Sequence, residues 1–427
     1  MKALLLENIH QDAVAALESR GIEVETRPGA LDTAELIEAL DGVSLLGIRS
    51  KTQVGREVFQ ARPELMAIGA FCIGTNQIDL DAASDHAVAC FNAPYSNTRS
   101  VVEMAIGCII ALARRLPDRN AAMHAGVWDK SAKHSHEVRG RTLGIVGYGN
   151  IGSQLSVLAE QLGMRVYFYD REDKLALGNA QRCDSLEELL ATVETVTLHV
   201  DGRASNTGMF GAEQFAQMRD RAILLNLARG HLVDLDALHE NLASGKVAGA
   251  AVDVFPTEPK KAGDPFTSPL QNMPNVILTP HIGGSTLEAQ EDIGRFVSGK
   301  LISYVETGST TLSVNLPTVQ LEPDVAGTRL LHIHKNVPGV IARVTGILSE
   351  HGVNIERQQL ATRGDLGYAV ADVAGACPRE VIDAVLALPE TMRLATVSGG
   401  PDAAAAARTA EALADEIARS GGSYSDA

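Results

Sequence analysis

The sequence predicts an α/β protein: two doubly wound parallel sheets in tandem, then a small βαββαβ unit. Three observations carry this reading. Short apolar runs alternate with helix-length amphipathic segments from the first residue to about residue 308. A glycine-rich turn, Gly147-Tyr148-Gly149-Asn150-Ile151-Gly152, stands between an apolar run and a helical pattern. Beyond residue 326 the spacing changes to that of four strands and two helices packed into a short stretch ending near residue 398.

The first unit is expected to hold strands at Lys2–Leu6, Gly21–Thr26, Ser44–Arg49, Met66–Ala70 and Ala87–Asn92. Helix-length segments separate them, so they pair in parallel through crossover helices. Thr98–Leu116 reads as one long apolar helix stopped by Pro117. Residues 117–140, which include Trp128, read as a polar irregular stretch, long enough that it should pack against something. The second unit opens at Arg141. Its strand before the glycine turn is followed by apolar runs at Arg165–Asp170, Val193–Val200, Ala222–Leu227, Gly249–Phe255 and Asn275–Thr279, about six strands in all. A helical pattern from Ser285 to about Gly308 would return the chain to the first unit. That unit is then discontinuous, 1–97 with 286–318, around a second domain at 98–285, with a cleft between the two sheets.

Leu312–Asp324, with Pro317 and Pro323, reads as a linker. The third unit, 326–398, should have strands at Thr328–His334, Asn354–Thr362, Tyr368–Val373 and Arg393–Val397, and helices at Gly339–His351 and Arg379–Leu388. It is marginal in size alone, and pairing with a second copy would enlarge its core. From residue 399 the chain is a tail that turns Ala-rich (Ala403–Ala407), with Leu413 and Ile417 nearly its only apolar anchors. A frayed helix is expected there.

Composition narrows the function classes. A formal charge of −16 over 427 residues disfavours attraction to nucleic acid or to an anionic membrane. No apolar stretch is long enough for a membrane span, and the first apolar run is too short for a signal peptide. The five cysteines are scattered without a C-x-x-C, which argues against a metal site or a disulfide frame and for a reducing cytoplasm.

The glycine turn is a dinucleotide-binding fingerprint in its required context, with Asp170 ending the next apolar run 18 residues past Gly152. Gly147 permits the tight turn, Gly149 lets backbone approach a pyrophosphate, and Gly152 allows close helix-on-strand packing. The Asp170 carboxylate accepts ribose hydroxyls and repels a 2′-phosphate, so NAD is favoured over NADP. Downstream, Arg229, Glu258 and His281 each follow an apolar run and should open at the same sheet edge. Oxidising a secondary alcohol needs a base for the hydroxyl proton, and an imidazole oriented by a carboxylate suits it. A guanidinium suits a substrate carboxylate through paired hydrogen bonds. Taken singly, Arg229 could be a structural ion pair and Glu258 a solvated loop charge; together the three share one chemical logic.

Over residues 1–315 this pattern resembles the D-isomer-specific 2-hydroxyacid dehydrogenases. Phe71-Cys72-Ile73-Gly74-Thr75-Asn76-Gln77, Asn92-Ala93-Pro94-Tyr95-Ser96-Asn97-Thr98-Arg99-Ser100-Val101 and Gly126-Val127-Trp128-Asp129-Lys130 are similar to the members that act on 3-phospho-D-glycerate. The third unit resembles an ACT regulatory domain through Leu331-His332-Ile333-His334-Lys335-Asn336-Val337-Pro338-Gly339-Val340 and Gly352-Val353-Asn354-Ile355. The resemblance implies a flavodoxin-like substrate-binding domain, a Rossmann domain for NAD, and the ACT unit. It further implies His281 as acid/base, Glu258 as its partner and Arg229 as carboxylate holder. Asn150, Ile151, Asp170, Asp253, Gly283 and Gly284 would contact NAD, and Leu227 and Ala228 would line its site. His199, which alone reads as a core histidine, would border the nicotinamide.

By the same resemblance Arg49, Ser50 and Lys51 would hold the substrate phosphate, and Ile73, Gly74 and Asn97 would line the same cleft. Lys130 would reach the phosphate of a neighbouring subunit's substrate. His334, Asn336 and Asn354 would bind L-serine across a domain pair in a homodimer or homotetramer. The implied activity is NAD-dependent oxidation of 3-phospho-D-glycerate to 3-phosphohydroxypyruvate, with feedback by L-serine. Another D-2-hydroxy acid as substrate, or a nucleotide-sensing co-repressor, are the rivals. Three departures stand out: Lys51 where arginine is common, a bulkier Leu227, and Asp201 in place of a proline.

Overall fold

The computed structural model describes residues 1–259, 263–323, 325 and 327–398; the Ala-rich tail from residue 399 lies outside the described residues. The described residues divide into two compact units, one of Met1–Ser96 with those from Gln290 to Ser398, the other of Asn97–Ala289.

The first unit contains a parallel sheet of β1 (Lys2–Leu5), β2 (Glu23–Thr26), β3 (Leu45–Ile48), β4 (Ala67–Ala70) and β5 (Ala89–Asn92), in the order β2-β1-β3-β4-β5. Every position of β3 and β4 is buried, as in strands covered by helices on both faces. The helix Leu287–Thr307 adds Ile293, Val297, Leu301 and Tyr304 to a core shared with Leu5, Phe71 and Phe91. The segment after it is no slack linker. The Asn315 side chain accepts from Cys90 N at 2.8 Å and donates to Val88 O at 2.8 Å, and Leu316 is wholly buried. Ser313 bridges to Phe91. The polar side chains that look like linker composition here satisfy the open edge of β5.

The same unit carries an antiparallel sheet of β13 (Thr328–Lys335), β14 (Ile355–Arg363), β15 (Leu366–Val373) and β16 (Thr391–Ser398), in the order β14-β15-β13-β16. Helices Val340–Glu350 and Arg379–Leu386 cover one face through Val344, Leu348, Val381 and Val385. Leu331, Ile333, Tyr368 and Val370, on the other face, join the core of Phe91, Leu301 and Tyr304. Its marginal size is therefore offset within one chain. Arg329, wholly buried, pairs with Asp372 at 2.6 and 2.9 Å and donates to Thr307 O at 3.2 Å.

The second unit is a seven-stranded parallel sheet: β6 (Thr142–Val146), β7 (Arg165–Tyr169), β8 (Gln181–Arg182), β9 (Thr195–Leu198), β10 (Ala222–Asn226), β11 (Val247–Val252) and β12 (Val276–Leu278). Its order, β12-β11-β10-β9-β6-β7-β8, reverses direction at β6, where the glycine turn begins. The strand beyond the expected six is β8, two exposed polar residues on the edge with no apolar run to reveal them. The long helix also differs from expectation. It spans Thr98–Ala113, breaks at Arg115 with φ 53°, and a second helix, Leu116–His124, carries Pro117 in its first turn. There the missing N–H costs nothing, so Pro117 starts a helix where it was expected to end one. Part of the supposedly irregular stretch is thus helical, and Trp128 is 78% exposed on this chain.

Candidate active site

The glycine turn is built by close backbone packing. Gly147 has φ 92°, and a side chain there would stand 2.7 Å from the His199 carbonyl carbon. At Gly152 a Cβ would meet Gly147 O at 2.3 Å, so only glycine lets the helix Asn150–Gln161 start this close to the strand. A Cβ at Gly149 would have nothing within 4 Å. Gly149 and Asn150 are exposed, Ile151 is half-buried, and no side chain caps this helix. Its first N–H groups are available to an anion. Asp170 lies beside the turn: its Oδ2 accepts from Tyr148 N at 2.7 Å and its Oδ1 from Glu172 N at 2.9 Å. Each oxygen keeps a lone pair for a hydroxyl.

His199 follows β9. Burial pushes its imidazole down to about 4, which keeps it neutral at working pH. Its Nε2 stands 2.9 Å from Thr197 Oγ1, while its buried Nδ1 has no partner among the described residues. The uncapped helix, the open face of Gly149 and this orphaned ring nitrogen fit a dinucleotide ending in a polar ring.

His281, Glu258 and Arg229 follow β12, β11 and β10. His281 Nδ1 is 2.8 Å from Glu258 Oε2, and Glu258 Oε1 accepts from Phe255 N at 3.0 Å. The carboxylate is fixed at one oxygen and faces the imidazole with the other. Because a carboxylate only accepts, Nδ1 carries the hydrogen and Nε2 is left with its lone pair. The Arg229 turn is clamped by Asn226, a wholly buried side chain that donates to Arg229 O at 3.0 Å and accepts from Ala228 N at 3.2 Å. Leu227 and Ala228 are buried within it. A Cβ at Gly230 would lie 2.0 Å from the Phe255 carbonyl carbon, so this turn abuts the backbone that holds Glu258. The structure thus brings Arg229 and the Glu258–His281 pair to one sheet edge.

Asp253, expected to touch the cofactor, is 1% exposed beneath the His281 loop. It accepts from Thr279 Oγ1 at 2.6 Å, Ile282 N at 2.9 Å and Gly283 N at 2.8 Å. These bonds shape that loop, and Oδ2, with a single donor, keeps a lone pair. Gly284 comes so close to Asn97 that a Cβ would stand 2.1 Å from its Nδ2. Asp201, in place of a proline, is gripped by Arg203 and Asn206. The Arg203 hydrogen bonds hold its carboxyl below the usual range.

In the first unit Arg49, Ser50 and Lys51 follow β3, the first half-buried and the other two exposed. Ile73 and Gly74 follow β4, and both are half-buried. Lys130 is exposed in the second unit. His334 is 2% exposed near the end of β13, where Asn336 follows; Asn354 precedes β14. His334 pairs with Gly367 but Ile355 pairs with Val373, so Asn354 lies at the opposite end of the sheet. One chain does not bring the three together. Asn226, Thr279, Glu7 and Gln77 were not singled out from sequence, and all four act through hydrogen bonds to loop backbone or to Asp253.

A Rossmann unit with an acid–imidazole pair and a guanidinium at its strand ends is the make-up of a nicotinamide-dependent dehydrogenase. The family model for the D-isomer specific 2-hydroxyacid dehydrogenase NAD binding domain matches residues 106–283, and one for an AHAS small subunit-like ACT domain matches residues 330–393. The chain is 52% identical over 375 residues to the D-3-phosphoglycerate dehydrogenase of Haemophilus influenzae, covering 87% of this chain and 91% of the relative. It is 49% identical to the D-3-phosphoglycerate dehydrogenase of Escherichia coli, covering 92% and 96%. The solved D-2-hydroxyisocaproate dehydrogenase superposes with a TM-score of 0.68 at 26% identity, covering 74% of this chain and all of that one. The chain belongs to the D-isomer specific 2-hydroxyacid dehydrogenase family. Its cofactor is NAD.

Proposed function

We propose that this protein oxidises 3-phospho-D-glycerate to 3-phosphohydroxypyruvate with NAD, the first step of L-serine biosynthesis, under feedback by L-serine. The observation that carries the chemistry is the Glu258–His281 contact of 2.8 Å with Nε2 left as base. The relatives above carry the substrate. Nε2 takes the proton of the C2 hydroxyl as the C2 hydrogen departs, and the C2–O bond becomes a carbonyl. NAD, when bound, supplies the acceptor for that hydride. Glu258 stabilises the imidazolium that forms, and the Arg229 guanidinium holds the substrate carboxylate by paired hydrogen bonds.

Gly147, Gly149, Asn150, Ile151 and Gly152 cradle the pyrophosphate; Asp170 takes the ribose hydroxyls; His199, Leu227, Ala228, Asp253, Gly283 and Gly284 line the site. Arg49, Ser50, Lys51, Ile73, Gly74 and Asn97 receive the phosphorylated acid, and Lys130 serves the site of a second subunit. His334, Asn336 and Asn354 bind L-serine between paired ACT units, in a cytoplasmic homodimer or homotetramer. NADH formation measured against a panel of D-2-hydroxy acids, with and without L-serine, tests this. Preference for 3-phospho-D-glycerate is expected, and turnover of unphosphorylated acids at equal efficiency overturns it.

A further inference from the structure

Two buried polar side chains in the first unit hold loops that the reaction proposed above needs, and neither is part of its chemistry. Glu7 follows β1, is 7% exposed, and has φ 63°, a conformation where glycine or asparagine is the usual occupant. Its side chain accounts for its presence. Glu7 Oε2 accepts from Lys51 N at 3.1 Å and Oε1 from Thr52 N at 2.8 Å. Gln77, 6% exposed, donates its Nε2 to Arg49 O at 2.6 Å and to Gly74 O at 3.2 Å. The loop of Arg49, Ser50 and Lys51 is therefore held at two N–H groups by Glu7 and at one carbonyl by Gln77. The same amide ties it to the Gly74 loop.

We propose that Glu7 and Gln77 are positioning residues that set the phosphate-holding loop and, with it, the preference for a phosphorylated acid; this rests on the function proposed above. The Lys51 and Thr52 N–H groups are directed to Glu7, so they cannot form an anion-binding nest. At positions 51 and 52 only side chains are then left to meet the phosphate. Lys51 is a point charge on a flexible stem, without the fork geometry of arginine. Its placement depends on the backbone beneath it, and that backbone is fixed by a carboxylate that accepts at both oxygens. A glutamine at position 7 keeps the shape but turns one acceptor into a donor, facing an N–H.

Steady-state kinetics of Glu7→Gln with 3-phospho-D-glycerate and with D-glycerate test the role. The KM for the phosphorylated acid is expected to rise about tenfold, the size of one lost hydrogen bond to a charged group. The kcat, the KM for NAD and the melting temperature should stay near wild type, and the preference for the phosphorylated acid should fall by the same factor. An unchanged preference overturns the role. Should Glu7→Gln not fold, Gln77→Met removes the strut from the other side and must lower the preference likewise; a Gln77→Met protein with wild-type preference also overturns it. A wild type that does not prefer the phosphorylated acid overturns the proposed function itself, a result distinct from either.

Discussion

His281 carries a backbone strain that its neighbours absorb. Its φ of 56° is left-handed, which costs an L-residue about 1–2 kcal/mol. Hydrogen bonds from His281 N to Asp253 O at 2.8 Å and from Gly283 N to the Asp253 carboxylate hold the turn in place. Strain at a residue that must aim a ring at substrate is a common feature of active sites. His281→Asn is expected to lower kcat by about 10²- to 10⁴-fold, the usual worth of a positioned base. Titration of NAD by fluorescence should remain near wild type; kcat within a factor of a few would remove His281 as the base. Asp170→Ala should weaken NAD far more than NADP, and equal weakening in the same titration would contradict a ribose contact. The place of these residues at strand ends was legible because each is polar at the end of an apolar run, where strands of such a sheet open. Asn226 and Gln77 were not, because an amide that satisfies backbone has the same letter as one that faces water. Glu7 did leave a signal: a charge directly after the run Ala3–Leu6.

Elements were legible wherever both faces of a strand are buried, since a continuous apolar run of strand length between helical patterns has few other readings. What escaped was set by non-local contacts: β8 pairs two polar residues with Tyr167 and Phe168, and Arg115 breaks a helix with no glycine to announce it. The glycine turn allows a test that separates packing from ligand approach. Gly147→Ala and Gly152→Ala force a Cβ against backbone at 2.7 and 2.3 Å, so the melting temperature should fall by several degrees or more. Gly149→Ala meets nothing within 4 Å, so the fold should hold while NAD affinity drops at least tenfold. Equal loss of stability in all three would refute the distinction. A second test concerns β13, where burial pushes His332 down to about 4, with His334 pushing the same way. In the unfolded chain a histidine titrates near 6.5. Between those values the unfolded state binds more protons, so stability present above about 6.5 is lost as pH falls toward 4, by up to about 3 kcal/mol. Melting curves from pH 7 to pH 5 should show His332→Gln losing less than wild type; parallel loss would exclude His332 as a source.

At the scale of the whole molecule, the ACT unit is not a detachable module. Leu331, Ile333, Tyr368 and Val370 share a core with Leu301 and Tyr304, and Tyr368 Oη donates to Gly308 O at 2.6 Å. Cutting the chain before residue 326 would strip that core, so effector binding has to be tested with point variants. The strand register supplies the design. In one chain His334 and Asn336 lie at one end of the four-stranded sheet and Asn354 at the other, so a site using all three draws on two copies. Under the proposed regulation, the His334→Ala and Asn354→Ala proteins should each lose L-serine inhibition while keeping catalysis. When the two variants are unfolded together and refolded as a mixture, a mixed pair combines the intact His334 of one copy with the intact Asn354 of the other at one of its two sites. Partial inhibition by L-serine should return in the mixture and in neither variant alone. A site built within a single chain cannot be restored this way, so a mixture that stays insensitive, with mixed pairs shown to form, would place the effector on one copy only.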